Sequence, residues 1–235
     1  MGSTAGGYLF VRAADRPAYA ESKVLPPSLW TPTSCICELY PEYWAFPWCR
    51  PPEDAVDAAI QQLGLSTADL QPLQEWVEQQ FEQGGVGFPG IFLRLEVARQ
   101  FAASFLRAGP EIKLLGIALP EAYIPEFLAE ARPGPGEGRP GIYQAVESGT
   151  RLAQGGASLG FEPLGYDHGG FHSFICNSLE KDYTEKLQLP INEHGRFAEL
   201  EACERAVEYT RLETTGAEPA LWQPWLIVEY PRAAA

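Results

Sequence analysis

The chain holds three histidines, and two of them fall in one short run, Tyr166-Asp167-His168-Gly169-Gly170-Phe171-His172-Ser173-Phe174-Ile175-Cys176-Asn177. Imidazole, carboxylate and thiol groups bind first-row metals, move protons near neutral pH, and in the case of thiol attack electrophilic carbon. Asp167, His168, His172 and Cys176 are therefore the candidate catalytic residues. Three chemistries compete for them. They could ligate a metal, although their spacing matches neither His-Glu-x-x-His nor paired Cys-x-x-Cys. Cys176 could be a nucleophile, with His172 or His194 as its base and Asp167 or Asn177 orienting that base. Gly169-Gly170 could form a backbone nest for an anion. The structural alternative is a hairpin that buries Phe171, Phe174 and Ile175 while the histidines bond locally. That alternative is preferred, and no metal or cofactor is assigned.

A second set of residues suits recognition better than chemistry. Trp44, Trp48, Trp222 and Trp225 lie in two aromatic-dense stretches near opposite ends of the chain, with Tyr40, Tyr43 and Phe46 beside the first two. Exposed tryptophans anchor protein interfaces, and buried ones fill cores. These four are the candidate partner-binding residues. Cys35, Cys37 and Cys49 read as small buried hydrophobes in preference to thiolate ligands. Glu38, Glu42, Glu180, Glu193 and Glu218 are potential acid–base groups that no local geometry pairs.

The elements that must position these groups follow from periodicity. Apolar runs at 8–11 and 34–39 read as short strands, and 112–119 as a buried strand. Residues 53–63 carry Val56, Ala59, Ile60 and Leu63 at helical spacing before Gly64. Ser66 and Asp69 resemble a capping box opening an amphipathic helix that stops at Gly84-Gly85. Helical spacing recurs over 92–106, and Pro120-Glu121 starts a helix that ends near Ala131. The segment 132–141, RPGPGEGRPG, is too punctuated for a helix or interior strand and reads as a loop. Residues 142–152 are ambiguous. Strands at 159–166 and 171–175 pair as a hairpin turning at Gly169-Gly170, 177–187 holds a short helical turn, 197–212 is a helix and 226–230 a closing strand. The sum is an α+β protein, with a mainly antiparallel sheet packed against several helices in a single compact domain spanning 1–235.

Composition narrows the function. For 25.9 kDa, surface scaling implies that roughly 72% of the chain's surface is buried on folding, enough for a sizeable core. The net charge is −14, and the 17 lysines and arginines are scattered without a basic run. Nucleic acid and anionic membrane surfaces are therefore not expected partners. Residues 1–12 lack the pattern of a secretory signal, no apolar run reaches 18 residues, and five cysteines form no regular framework, so a cytoplasmic location is expected. The resulting expectation is an acidic, non-enzymatic protein-binding module, an inhibitor or immunity-type protein that neutralises a basic partner. The alternative is a small hydrolase or transferase using Asp167, His168, His172 and Cys176, with or without a metal.

Overall fold

The computed structural model describes residues 2–19, 24–33, 36, 63–107 and 111–232. Its centre is an antiparallel seven-stranded sheet in the order β4-β5-β1-β6-β9-β7-β8. The strands are β1 (Ser3–Arg12), β4 (Val86–Gly87), β5 (Ile91–Phe92), β6 (Ile112–Pro120), β7 (Ala157–Asp167), β8 (Gly170–Ser173) and β9 (Leu221–Tyr230). Strands β2 (Ala14–Asp15) and β3 (Ser28–Leu29) pair separately. Five α-helices accompany them among the described residues: α1 (Leu70–Glu82), α2 (Leu95–Phe105), α3 (Ile124–Glu130), α4 (Gly141–Glu147) and α5 (Leu200–Thr210). The fold is thus the α+β class expected, with the sheet drawn from both ends of the chain.

The long strands read as continuous apolar runs because both sheet faces are covered. Along β1, Tyr8 and Phe10 face a cluster with Val77 of α1 and Ala98, Phe101 and Phe105 of α2. Leu9 and Val11 face the opposite cluster, where Phe127 of α3 and Ile142 and Val146 of α4 meet Ile117, Trp225 and Ile227. Successive strand side chains alternate between faces, so two helical layers demand two apolar sets. A third cluster joins Phe174, Tyr183, Phe197 and Cys203 beneath α5. Truncating a fully buried phenylalanine such as Phe101 in such a core costs about 3–5 kcal/mol.

Pairing between distant segments moves several boundaries from their expected places. Helix α2 begins at Leu95, not 92, because Phe92 pairs with Tyr8. Helix α5 begins at Leu200, not 197, because Phe197 exchanges backbone hydrogen bonds of 2.7 and 2.9 Å with Phe161. Strand β9 begins five residues before the expected 226 and contains Pro224, which lies opposite Pro163 of β7. The neighbouring ladders stop at Leu226 and Leu164, so on their outer sides neither proline is asked for the N–H it lacks. The ambiguous stretch after the Pro/Gly-rich loop is helix α4 followed by loop. The expected strand at 34–39 lies outside the described residues except for Ile36, and the expected helix at 53–63 except for Leu63.

Candidate functional site

The β7–β8 hairpin forms as expected, but its turn sits one residue earlier. Asp167 pairs with Gly170, leaving His168 and Gly169 as the turn, with φ of +44° and +92°. Positive φ at both central positions is what a type I′ two-residue hairpin turn requires, and Gly169 adopts it without a side-chain penalty. Gly169 also sits close to Pro89 and Pro140: a Cβ there would lie 3.4 and 3.2 Å from them. Phe88, just after β4, bridges to Pro140. The hairpin tip at one end of the sheet order therefore approaches the turn beside the other end, and the sheet curls.

A cleft of about 940 Å³ opens at this junction. Phe88, Pro140 and Leu221 supply apolar lining, and Glu130, Glu137 and Asp167 supply carboxylates. Arg132 and Arg139 line it too, but Arg139 is held 2.7 Å from Glu147. The Pro/Gly-rich loop forms one wall, and Glu137 braces it by accepting a 2.8 Å hydrogen bond from Gly134 N–H. His168 stands at the rim with its side chain 96% exposed.

Behind that rim the structure gathers His172, Asp167, Glu218 and Asn177. Nδ1 of His172 lies 2.6 Å from Oε2 of Glu218, a close contact whose alignment falls short of a hydrogen bond. Nε2 of His172 lies 3.9 Å from Oδ2 of Asp167, and Nε2 of His168 lies 3.6 Å from Oδ1. Glu218 is well anchored: its N–H donates to Oδ1 of Asn177 at 2.9 Å, and its carbonyl accepts from Nε1 of Trp222 at 3.0 Å. An imidazole between two carboxylates, one of them fixed, can orient a proton donor or acceptor at the edge of a cleft.

Three of the four proposed catalytic residues, Asp167, His168 and His172, are thus brought together. The sulfur of the fourth, Cys176, lies 4.0 Å from Oγ1 of Thr33. His194 lies beside Glu193 at 3.8 Å. Phe171, Phe174 and Ile175 are buried. Among the described residues, no group of three or more His, Cys, Asp or Glu side chains could hold a metal ion. Burial pushes the Cys203 thiol well above its ordinary range, aided by the charges of Glu162 and Glu204.

Trp222 and Trp225, expected as partner anchors, are 2% and 0% exposed and cannot touch a partner in this fold. Trp225 packs edge-on against Phe127 and Phe171 and leans over Gly6, where a Cβ would come within 2.7 Å of the indole. Trp44 and Trp48 lie outside the described residues, as do Cys35, Cys37 and Cys49.

Sequence reasoning missed one charged group that supports the site. Glu162 and Arg196 form an ion pair with side chains 1% and 3% exposed and an Nε–Oε2 distance of 3.1 Å. Glu162 Oε1 also accepts from Thr31 at 2.6 Å and from Ser173, the residue after His172, at 3.0 Å. Arg196 donates to the carbonyls of His194, at 3.1 Å, and Trp30. A lone glutamate on a strand that mixes polar and apolar residues carries no local sign of such burial. Glu218 was noted as a carboxylate, but 41 residues separate it from Asn177, so no spacing could reveal the contact.

Compared with known proteins, the chain matches no family model, no curated protein and no solved structure. Among the described residues, no helix is long and apolar enough to cross a membrane.

Proposed function

We propose that this protein is a binding module whose recognition surface is the cleft between the Pro/Gly-rich loop and the β7–β8 hairpin, and that it receives a cationic, partly apolar segment of a basic protein partner. The cleft's composition carries the reading: Phe88, Pro140 and Leu221 offer apolar surface beside Glu130, Glu137 and Asp167, in a chain of net charge −14. Opposite charge steers a basic partner toward such a site, and apolar contact holds it there. This is the behaviour of an inhibitor or immunity-type protein. The same acidity disfavours nucleic acid.

The test is calorimetric titration of the full chain with an alternating lysine–leucine peptide and its glutamate–leucine counterpart. The cationic peptide is expected to bind and the acidic one not. Reversing Glu130, Glu137 and Asp167 to lysine should weaken binding at least tenfold, while the same reversal at the exposed Glu75, Glu78 and Glu208 should change it less than threefold. Equal losses in the two triple variants would mean that bulk charge, and not the cleft, attracts the peptide, and the proposal would fail.

One observation favours a second reading, an acid–base enzyme: His172 sits between the anchored Glu218 and Asp167 beside the cleft. Its signature is turnover of activated ester or phosphodiester substrates that His172→Gln abolishes and Cys176→Ser leaves intact. Turnover that depends on Cys176 would contradict this assignment.

A further inference from the structure

We infer that Tyr166 anchors the main chain of the segment that enters the cleft, its phenolic hydroxyl donating a hydrogen bond to a backbone carbonyl of the bound peptide. This rests on the reading of the cleft as a peptide site. It adds a specificity-determining contact that charge alone does not supply.

The hydroxyl is unspent in the free protein. Tyr166 lines the cleft beside Asp167 and opposite Leu221 of β9, yet only 6% of it is exposed. Its ring packs edge-on against Phe127 and Phe171, at centroid distances of 5.0 and 6.0 Å, so it cannot turn out to water. Among the described residues the hydroxyl meets no hydrogen-bond partner. A buried hydroxyl left unpaired has lost its hydration without compensation, a cost that an acceptor carried by a ligand removes.

Charge decides what that acceptor can be. Burial, helped by the charges of Asp167 and Tyr143, pushes the Tyr166 hydroxyl above its ordinary pKa, so it keeps its proton and can donate it. Glu130, Glu137 and Asp167 outnumber Arg132 and Arg139 in the lining, and Arg139 is held by Glu147, so an anionic acceptor is repelled. Lysine and arginine side chains carry donors only. The acceptor that a cationic segment can bring is therefore its own main-chain carbonyl. Reaching the hydroxyl asks the cleft to widen, and the Pro/Gly-rich wall has room to yield: a Cβ at Gly136 or Gly138 would meet nothing within 4 Å.

Tyr166→Phe deletes the hydroxyl and keeps the ring, and it should separate binding from folding. The urea midpoint of the free full-length variant should equal or exceed that of wild type, because no bond is lost, while its affinity for the lysine–leucine peptide should fall at least about threefold. A second peptide, with leucic acid in place of leucine, has ester linkages whose carbonyls are weaker acceptors. It should bind wild type more weakly than the amide peptide does, and that difference should shrink at least about twofold on Tyr166→Phe. A lowered midpoint would show that the hydroxyl is bonded within the protein, and with unchanged affinity or an ester penalty equal on both proteins it would overturn the inference; any one of the three suffices. Failure of wild type to bind the lysine–leucine peptide would instead overturn the reading of the cleft, and this inference with it.

Discussion

Replacing Arg196 by methionine should destabilise this protein more than almost any other single polar substitution. The guanidinium is 3.1 Å from Glu162, both side chains are nearly inaccessible, and Arg196 also satisfies two backbone carbonyls. Methionine fills comparable apolar volume but leaves Glu162 buried with only the hydroxyls of Thr31 and Ser173 as donors. Removing one partner of a buried ion pair costs about 3–5 kcal/mol, because the survivor is desolvated without compensation. Against a typical total stability of about 5–15 kcal/mol, that is a large fraction of the fold's reserve. For a chain of this size it lowers Tm by roughly 6–20 °C. Urea unfolding followed by tryptophan fluorescence reads the change, since Trp222 and Trp225 are buried in the native state. Replacing both Glu162 and Arg196 by methionine should cost less than the sum of the single changes, with a coupling of about 2 kcal/mol. A loss below about 1 kcal/mol for Arg196→Met, or additive losses in the cycle, would refute the view that each charge is compensated mainly by the other. The pair also bears on the site, because Ser173 hangs β8 and its His172 from Glu162.

Two further outcomes are expected. Burial raises the affinity of Asp182 for its proton, but hydrogen bonds from Lys186 at 2.9 Å and Tyr209 at 2.5 Å outweigh it, leaving the carboxyl below its usual range. A depressed folded value contributes stability that is complete above the unfolded value of about 3.9 and is lost as pH falls through the folded one. Wild type should therefore exceed Asp182→Asn in urea midpoint by a constant margin above about pH 5, and the two curves should converge below about pH 4; parallel curves down to pH 3 would contradict this. Gly160→Ala should lose at least about 1 kcal/mol, because Gly160 has φ of +109° and an added Cβ would sit 2.5 Å from the carbonyl of Phe197, disrupting the Phe161–Phe197 bridge. An unchanged unfolding midpoint would show that the bulge beside Gly160 absorbs the methyl group.

Elements defined by local pattern were legible in the sequence. The capping pair Ser66 and Asp69, whose Ser66 N–H donates to Asp69 at 2.9 Å, opens the stretch that becomes α1. The apolar run 112–119 is β6, and the Pro/Gly-rich run is the loop that walls the cleft. The hairpin carrying Asp167, His168 and His172 was equally plain, as was the burial of Phe171, Phe174 and Ile175. The exact turn was not, since two adjacent glycines allow either register and only the pairing of Tyr166 with Phe171 selects one.

Charge, aromatic content and periodicity thus determined on their own that the chain forms an acidic α+β domain with an antiparallel hairpin presenting two imidazoles. Those properties depend on residues within a few positions of each other, where backbone geometry dictates what can meet. Tertiary structure alone decided that Trp222 and Trp225 are core, that Glu218 stands against His172, and that Glu162 and Arg196 are buried together. Each of those outcomes joins segments tens of residues apart. Side-chain type shows what a group can do, but its surroundings, set by the curl of the sheet and the layers packed on it, decide whether it is solvated, paired or sealed.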